Sequence, residues 1–212
     1  EYDDNDMTNH YRKEMTDINQ WIKGTELNYL TPINSETDVD LSERRLRRYF
    51  TRGSFESGGR LFGGFWQELN KKQRKNIIID DEEAVSLDYS QMGPRILYGL
   101  CRMIPTSNDC YRIPNYDRYR NGIKKVFNAM TFAEKPVTRY PKGVKQMFKE
   151  DIRFHEVSDA IQRYHSGIAH KFYVGIGHYL QYLESQILIK VLLGLRELGI
   201  HALPIHDAVV VG

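Results

Sequence analysis

Cysteine is nearly absent: Cys101 and Cys110 are the only two in 212 residues. Their spacing fits neither a zinc nor a redox motif. Two thiols cannot staple a small secreted fold, so a reduced, intracellular setting is the default. A disulfide between them stays open without being required. Charge of one sign is also missing. Lys and Arg number 30 against 28 Asp and Glu, a net of +2, so global charge selects no partner. No apolar run reaches the ~20 residues of a membrane span. The acidic opening, Glu1 to Asp6, is not a secretory leader. No internal repeat, low-complexity tract, Ser-His-Asp arrangement or catalytic cysteine is visible. His170 and His178 have no Cys or His partner at ligand spacing, which leaves no metal motif there.

What is present is 41% hydrophobic and 27% charged, a soluble globular composition. The length allows one ordinary domain with room for a small subdomain. Cations cluster locally: Arg44, Arg45, Arg47, Arg48 and Arg52; then Lys71, Lys72, Arg74 and Lys75; then Arg118, Arg120, Lys124 and Lys125. Aromatics lie among or beside them, including Tyr49, Phe50, Phe55, Tyr116, Tyr119 and Phe127. Basic clusters beside aromatics suit a polyanion whose bases can stack. The plainer reading is a set of solvated helix faces.

Asn9 to Lys23 reads as a helix with Tyr11, Met15, Ile18 and Ile22 on one face and Gly24 as its stop. Thr31 to Asp40, with Asn34 and Ser35, reads as loop. A second helix is expected from Asp40-Leu41-Ser42-Glu43, capped by Ser42 or Asp40 and turning Leu41, Leu46 and Tyr49 or Phe50 inward. Five glycines between Gly53 and Gly64 mark a backbone that bends sharply or approaches something closely. Their spacing is not that of a P-loop. The segment is either a flexible loop or one that packs Arg52 and Arg60 against nucleic-acid phosphates. Asn76 to Asp80 and Ala84 to Asp88 read as a β-hairpin. Further helices are expected over Met92–Met103, with Pro94 near the start, and over Arg118–Phe132, Lys142–Phe148 and Val157–Phe172. The strongest pattern is Tyr179–Leu198, with Leu180, Leu183, Ile187, Val191, Leu195 and Leu198 as its stripe before Gly199.

Two carboxylates stand out. Asp88 ends a segment in which Val85, Leu87 and Tyr89 alternate with Ser86 and Asp88, the pattern of a half-buried strand. Asp207 lies in the apolar run Ile200 to Val211, read as one strand, where an unpaired carboxylate is costly. Arg120 and Lys124 share a helix face and offer a grip for a triphosphate. Two carboxylates on neighbouring strands can hold two divalent cations roughly 3.5–4 Å apart. The basic helix would neutralise a triphosphate, as phosphoryl transfer requires. The bland alternatives are a strand-end turn and an exposed basic stripe.

This order resembles the palm and fingers of family A DNA polymerases and the related single-subunit RNA polymerases. Their first motif reads Asp-Tyr-Ser-Gln-Ile-Glu-Leu-Arg; here it is Asp88-Tyr89-Ser90-Gln91-Met92-Gly93-Pro94-Arg95. The second, a helix with Arg, then Lys, then an aromatic, is matched by Arg120, Lys124 and Phe132. The third, His-Asp-Glu or His-Asp-Ser, is matched by His206-Asp207-Ala208. Gly59-Arg60-Leu61-Phe62 also looks like the Gly-Arg-Val-Tyr segment of the RNA enzymes. The resemblance covers roughly residues 45–212.

The resemblance implies an α+β fold: a right-hand palm on an antiparallel sheet with flanking helices, an inserted helical fingers subdomain, and a thumb absent or truncated. Residues 1–40 would form an N-terminal extension, 41–117 and 176–212 the palm, and 118–175 the fingers. Asp88 and Asp207 would bind Mg²⁺ (Mn²⁺ as an alternative), with the Tyr89 carbonyl as a further ligand. Arg120 and Lys124 would contact the incoming triphosphate, Phe132 the nascent base pair, and His206 the primer end. Arg52, Arg60 and Arg95 are the remaining nucleic-acid candidates. The implied partners are a DNA or RNA template-primer and nucleoside triphosphates, in the cytoplasm of a bacterial or phage-infected cell, with no membrane.

The departures are informative. Gly93 stands where the DNA enzymes have the Glu that blocks a ribose 2′-hydroxyl, and the RNA enzymes have Gly there. Phe132 replaces Tyr, Ala133 replaces Gly, and Asn128 stands where an aromatic is frequent. Sugar discrimination is therefore expected to be relaxed or to lean toward ribonucleotides. The chain opens on Glu1 and stops at Gly212 directly after an apolar strand, so a longer polypeptide or a partner subunit is expected to supply a thumb-like grip. Two other readings use the same residues: a polymerase-like fold that only binds nucleic acid, and a two-metal nuclease.

Overall fold

The first helix, α1 (Asp6–Gly24), starts where the Asn5 side chain accepts from the Thr8 N–H (2.9 Å) and the Thr8 hydroxyl accepts from the Asn5 N–H (3.0 Å). This reciprocal capping satisfies two of the orphan donors of a helix end. The computed structural model describes residues 3–32 and 39–212. The centre of the loop expected over 31–40, with Asn34 and Ser35, lies outside them. Strand β1 (Leu27–Tyr29) follows α1.

The helix expected from residue 40 is not formed. Leu41 and Ser42 make a turn, and β2 (Arg47–Thr51) pairs antiparallel with β3 (Ser54–Phe62). Arg52 and Gly53 both have positive φ, 59° and 63°, the geometry of a two-residue hairpin turn. Of the arginine run, Arg47 and Arg48 thus lie on a strand and Arg52 in its turn, and Gly58 and Gly59 of the glycine-rich segment lie on β3 rather than in a loop. Gly59 is bulged out, since Tyr49 faces Arg60 while Phe50 faces Gly58, and a second register shift follows between Phe50 and Thr51.

After the short α2 (Phe65–Glu68) come β4 (Ile77–Ile79) and β5 (Glu82–Glu83), paired antiparallel across Asp80 and Asp81. The expected hairpin closes at β5, and the next strand, β6 (Val85–Asp88), joins a different sheet. The chain continues through α3 (Met92–Leu100), α4 (Arg120–Phe132), α5 (Phe154–Tyr164) and α6 (Gly177–Glu197). Residues expected as helix at 142–148 make only a 3₁₀ turn, Lys145–Met147, and α5 ends in another, Ser166–Lys171. Strands β7 (Ala202–Ile205) and β8 (Ala208–Val211) close the chain.

The architecture is α+β, with small antiparallel sheets in the orders β1-β4-β5, β2-β3 and β6-β8-β7. Two compact units divide it: residues up to Ser90 with Glu184–Gly212, and Gln91–Leu183. The division falls inside α6, and the segment boundaries expected at 117/118 and 175/176 both lie inside the second unit. The first unit packs Ile18, Ile22, Leu61, Ile77, Leu192 and Leu203 around Trp66, whose indole N–H donates to the Pro204 carbonyl (2.9 Å). The second packs Leu97, Ile123, Phe127, Met130 and Ile161. Both cysteines are free. No helix among the described residues is long and apolar enough to cross a membrane.

Candidate functional site

The run Ile200 to Val211 is a hairpin rather than one strand. His206 takes φ +54° and makes with Asp207 a two-residue turn between β7 and β8. Asp207 therefore sits at a strand end, half-buried, and not inside an apolar strand. The cost expected for it disappears with that geometry.

Strand β8 also pairs with β6, in the register Val85 with Val211 through Asp88 with Ala208. Asp88 is thereby set opposite the residue after Asp207. The Tyr89 N–H donates to the Asp207 carbonyl (3.3 Å) and extends the ladder. One sheet end thus carries Asp88, Tyr89, His206 and Asp207. The half-buried pattern expected for β6 is not met: Val85 and Leu87 are each 54% exposed, and all four residues of the strand are exposed.

Arg60 and Glu184 complete this end. Arg60 Nε and Nη2 both donate to Glu184 Oε1, at 2.9 and 2.6 Å. Burial raises the Glu184 pKa, Arg60 opposes that, and the charges of Asp207 and Asp88 raise it further. Both aspartates therefore act electrostatically on Glu184. His206 meets Phe62 edge-on at 5.6 Å. Desolvation and then the Arg60 charge lower the His206 pKa, with Asp207 opposing. Arg52 occupies the β2–β3 turn, at the opposite end of that hairpin from Phe62.

Glu184 was not legible in the expected α6 stripe. Leu180 of the expected stripe is buried, and the other buried residues of that stretch are Glu184, Ser185, Leu188, Ile189 and Leu192, while Ile187 and Leu198 are 37% and 73% exposed. The available signal was Glu184 on the same helical face as Leu188 and Leu192.

The other candidates belong to the second unit. Gln91, at φ 60°, caps α3, and its side-chain Oε1 accepts from the Cys110 N–H (2.5 Å). Arg95 donates to the Asn108 carbonyl (3.1 Å). Gly93 lies in the first turn of α3, and a Cβ added there meets nothing within 4 Å. Arg120 Nε donates to Asp109 Oδ2 (2.6 Å). Burial would raise the Asp109 pKa, but the Arg120 hydrogen bond and charge hold it below the ordinary carboxylate range. Arg120 and Lys124 both lie over the Tyr111 ring, at 5.5 and 5.9 Å. They share a helix face, and Arg120 is already paired. Phe132 stacks edge-on against His178 at 5.1 Å.

Among the described residues, no group of three or more His, Cys, Asp or Glu is arranged to hold a metal on its own. The donors at the sheet end are carboxylates on neighbouring strands, hard oxygens of the kind Mg²⁺ and Mn²⁺ accept. Their charges also act on Glu184, a concentration of negative charge that a divalent cation would relieve. The site fits an oxygen-bound cation whose remaining positions are filled by water or phosphate, and it does not fit a protein-only cage. Comparison with protein-family models, with curated proteins and with solved structures finds no match.

Proposed function

We propose that the chain is a template-directed nucleotidyltransferase of the family A polymerase type, with the first unit as palm and the second as fingers. The observation that carries this reading is the β6–β8 register, which sets Asp88 opposite Ala208 at the end where Asp207 lies. Asp88 and Asp207 would hold Mg²⁺, with the Tyr89 carbonyl available beside them. When bound, the cations would acidify a 3′-hydroxyl and neutralise a leaving pyrophosphate. The protein's own share is positional. Arg60, fixed by Glu184, presents a cation beside the two aspartates and suits a nucleic-acid backbone. Lys124, and Arg120 once released from Asp109, would meet the triphosphate. Gly93, whose surroundings are open, would be the residue that admits a ribose 2′-hydroxyl. The setting is the cytoplasm of a bacterial or phage-infected cell, with DNA or RNA as template-primer.

Primer extension with Mg²⁺ and labelled nucleotides tests this. Asp88→Asn and Asp207→Asn each remove stabilisation worth several kcal/mol, so extension is expected to fall on the order of a thousandfold. Neither side chain is in a hydrophobic core, so thermal stability should hold. Absence of product from the wild-type chain, or unchanged product from both variants, removes the proposal. The nearness of a third carboxylate, Glu184, favours a second reading, a metal-dependent nuclease. Release of nucleoside monophosphates without extension would select it.

A further inference from the structure

A groove of about 550 Å³ lies in the first unit between α1 and the β2–β3 hairpin. Its volume is that of small-ligand sites. Four arginines line it, Arg12, Arg45, Arg47 and Arg48, with no acidic side chain among the described lining residues. Its apolar part is a cluster of flat rings. Tyr11 stacks on Phe50 at 5.2 Å and 26°, and Phe55 stands edge-on to Phe50 at 4.9 Å. The Arg48 guanidinium lies over both rings, 4.6 Å from Tyr11 and 4.9 Å from Phe50. Arg45 and Arg47 are exposed.

A ligand that satisfies this groove must bring a planar ring for the aromatic cluster and an anion for the exposed arginines. A simple anion leaves the rings unused, and an apolar ring leaves the arginines unused. We propose that the groove is a nucleotide site separate from the carboxylate end, taking a base on Tyr11, Phe50 and Phe55 and phosphate on Arg45 and Arg47. Stacking on aromatics tolerates any base, so no base preference is expected. The groove is tied to the carboxylate end through Arg48. Its Nη2 donates to Ser185 Oγ (3.1 Å) and its Nε to the Gly59 carbonyl (3.1 Å). Those residues adjoin Glu184 and Arg60, so occupancy of the groove would steady the pair beside the aspartates.

The test is fluorescence anisotropy on the whole chain in EDTA, which removes metal-dependent binding. The probes are N-methylanthraniloyl-GTP and a fluorescein-labelled oligo(dT) of roughly ten nucleotides, and the two arms separate a free nucleotide from one in a strand. At least one probe should bind, more weakly as salt rises. Arg45→Glu with Arg47→Glu should weaken it about tenfold or more, whereas Asp88→Asn and Asp207→Asn should bind as wild type. AMP should displace the probe at least about tenfold better than inorganic phosphate, a measurement that needs no variant. The proposal is overturned if neither probe binds, if the double reversal changes nothing, or if AMP and phosphate compete equally. Because primer extension is scored separately, failure here leaves the polymerase reading standing, and the reverse.

Discussion

His165 shows how one buried side chain makes stability depend on pH. It is 1% exposed. Its Nε2 faces the Cys110 carbonyl at 2.9 Å, so that nitrogen must carry the proton, and Nδ1 then accepts from the Tyr98 hydroxyl at 2.8 Å. Burial lowers its pKa from 6.5 to about 4. The unfolded chain takes up this proton below its ordinary pKa, while the folded chain does so only near the lowered one. The contribution is therefore complete at neutral pH and is lost as pH falls from 6.5 toward 4, by roughly 3 kcal/mol. Urea unfolding at pH 7.5 and pH 4.5 should show the stability gap between wild type and His165→Gln shrinking by roughly 2–3 kcal/mol at the lower pH. An unchanged gap would mean that His165 is not held neutral. Gly93 poses a different question. The space around it is open, so Gly93→Glu should fold, with helix propensity improved by about 0.5–1 kcal/mol. Under the polymerase proposal it should cut ribonucleotide relative to deoxynucleotide incorporation about tenfold or more. A ratio that does not move would put the role given to Gly93 in error.

Helices and strands are joined here by charges that rarely survive alone inside a protein. Arg48 on β2 meets Glu14 on α1 at 3.2 Å, with side chains 3% and 10% exposed. Arg48→Ala leaves the Glu14 carboxylate buried without its guanidinium, which should cost about 3–5 kcal/mol. The double variant Arg48→Ala/Glu14→Ala should recover part of that loss. Chemical denaturation checks both, and a double-variant loss equal to the sum of the losses of Arg48→Ala and Glu14→Ala would show that the pair does not act as a unit. The same elements show what periodicity can and cannot reveal. Helices α1 and α4 were legible because their apolar residues occupy one face, with Ile18 and Ile22 in one and Ile123, Phe127 and Met130 in the other buried as the spacing predicts. Helix α6 is apolar on several sides around Ile187, Leu188, Ile189 and Val191; of its expected stripe Leu180 is buried and Val191 and Leu195 pack against the core, but Ile187 and Leu198 are exposed, and Glu184 escaped notice. The β2–β3 hairpin was hidden because its turn is Arg52-Gly53, a pair inside an arginine cluster. The sheet end that joins Asp88 to Asp207 rests on a long-range pairing, which no local pattern encodes.

At the scale of the whole molecule, the two units differ in how the sequence builds them. The second is one continuous stretch, Gln91–Leu183, with its own core of Leu97, Ile123, Phe127, Met130 and Ile161. The first closes only when Glu184–Gly212 returns to the N-terminal part. Strand β8 is the central strand between β6 and β7, and the Trp66 indole depends on the Pro204 carbonyl. The division at Ser90 leaves no local mark in the sequence, because a β-strand end and a helix start look alike whether or not a unit changes there. The construction has a consequence for truncation. A chain of residues 91–183 keeps every partner of its core, and a length of roughly 100 residues is enough for a domain to fold alone. It should unfold cooperatively on heating, and Phe127→Ala, which empties a buried aromatic site, should lower its stability by about 3–5 kcal/mol. A chain ending at residue 183 keeps that unit but removes β7, β8 and the buried half of α6 from the first one. Hydrogen exchange should then find protection retained over α4 and α5 and lost over α1, β2 and β3. Protection that survives in the first set alone is the expected outcome. Loss in both sets, or retention in both, would show that the two cores are not built as the chain divides them.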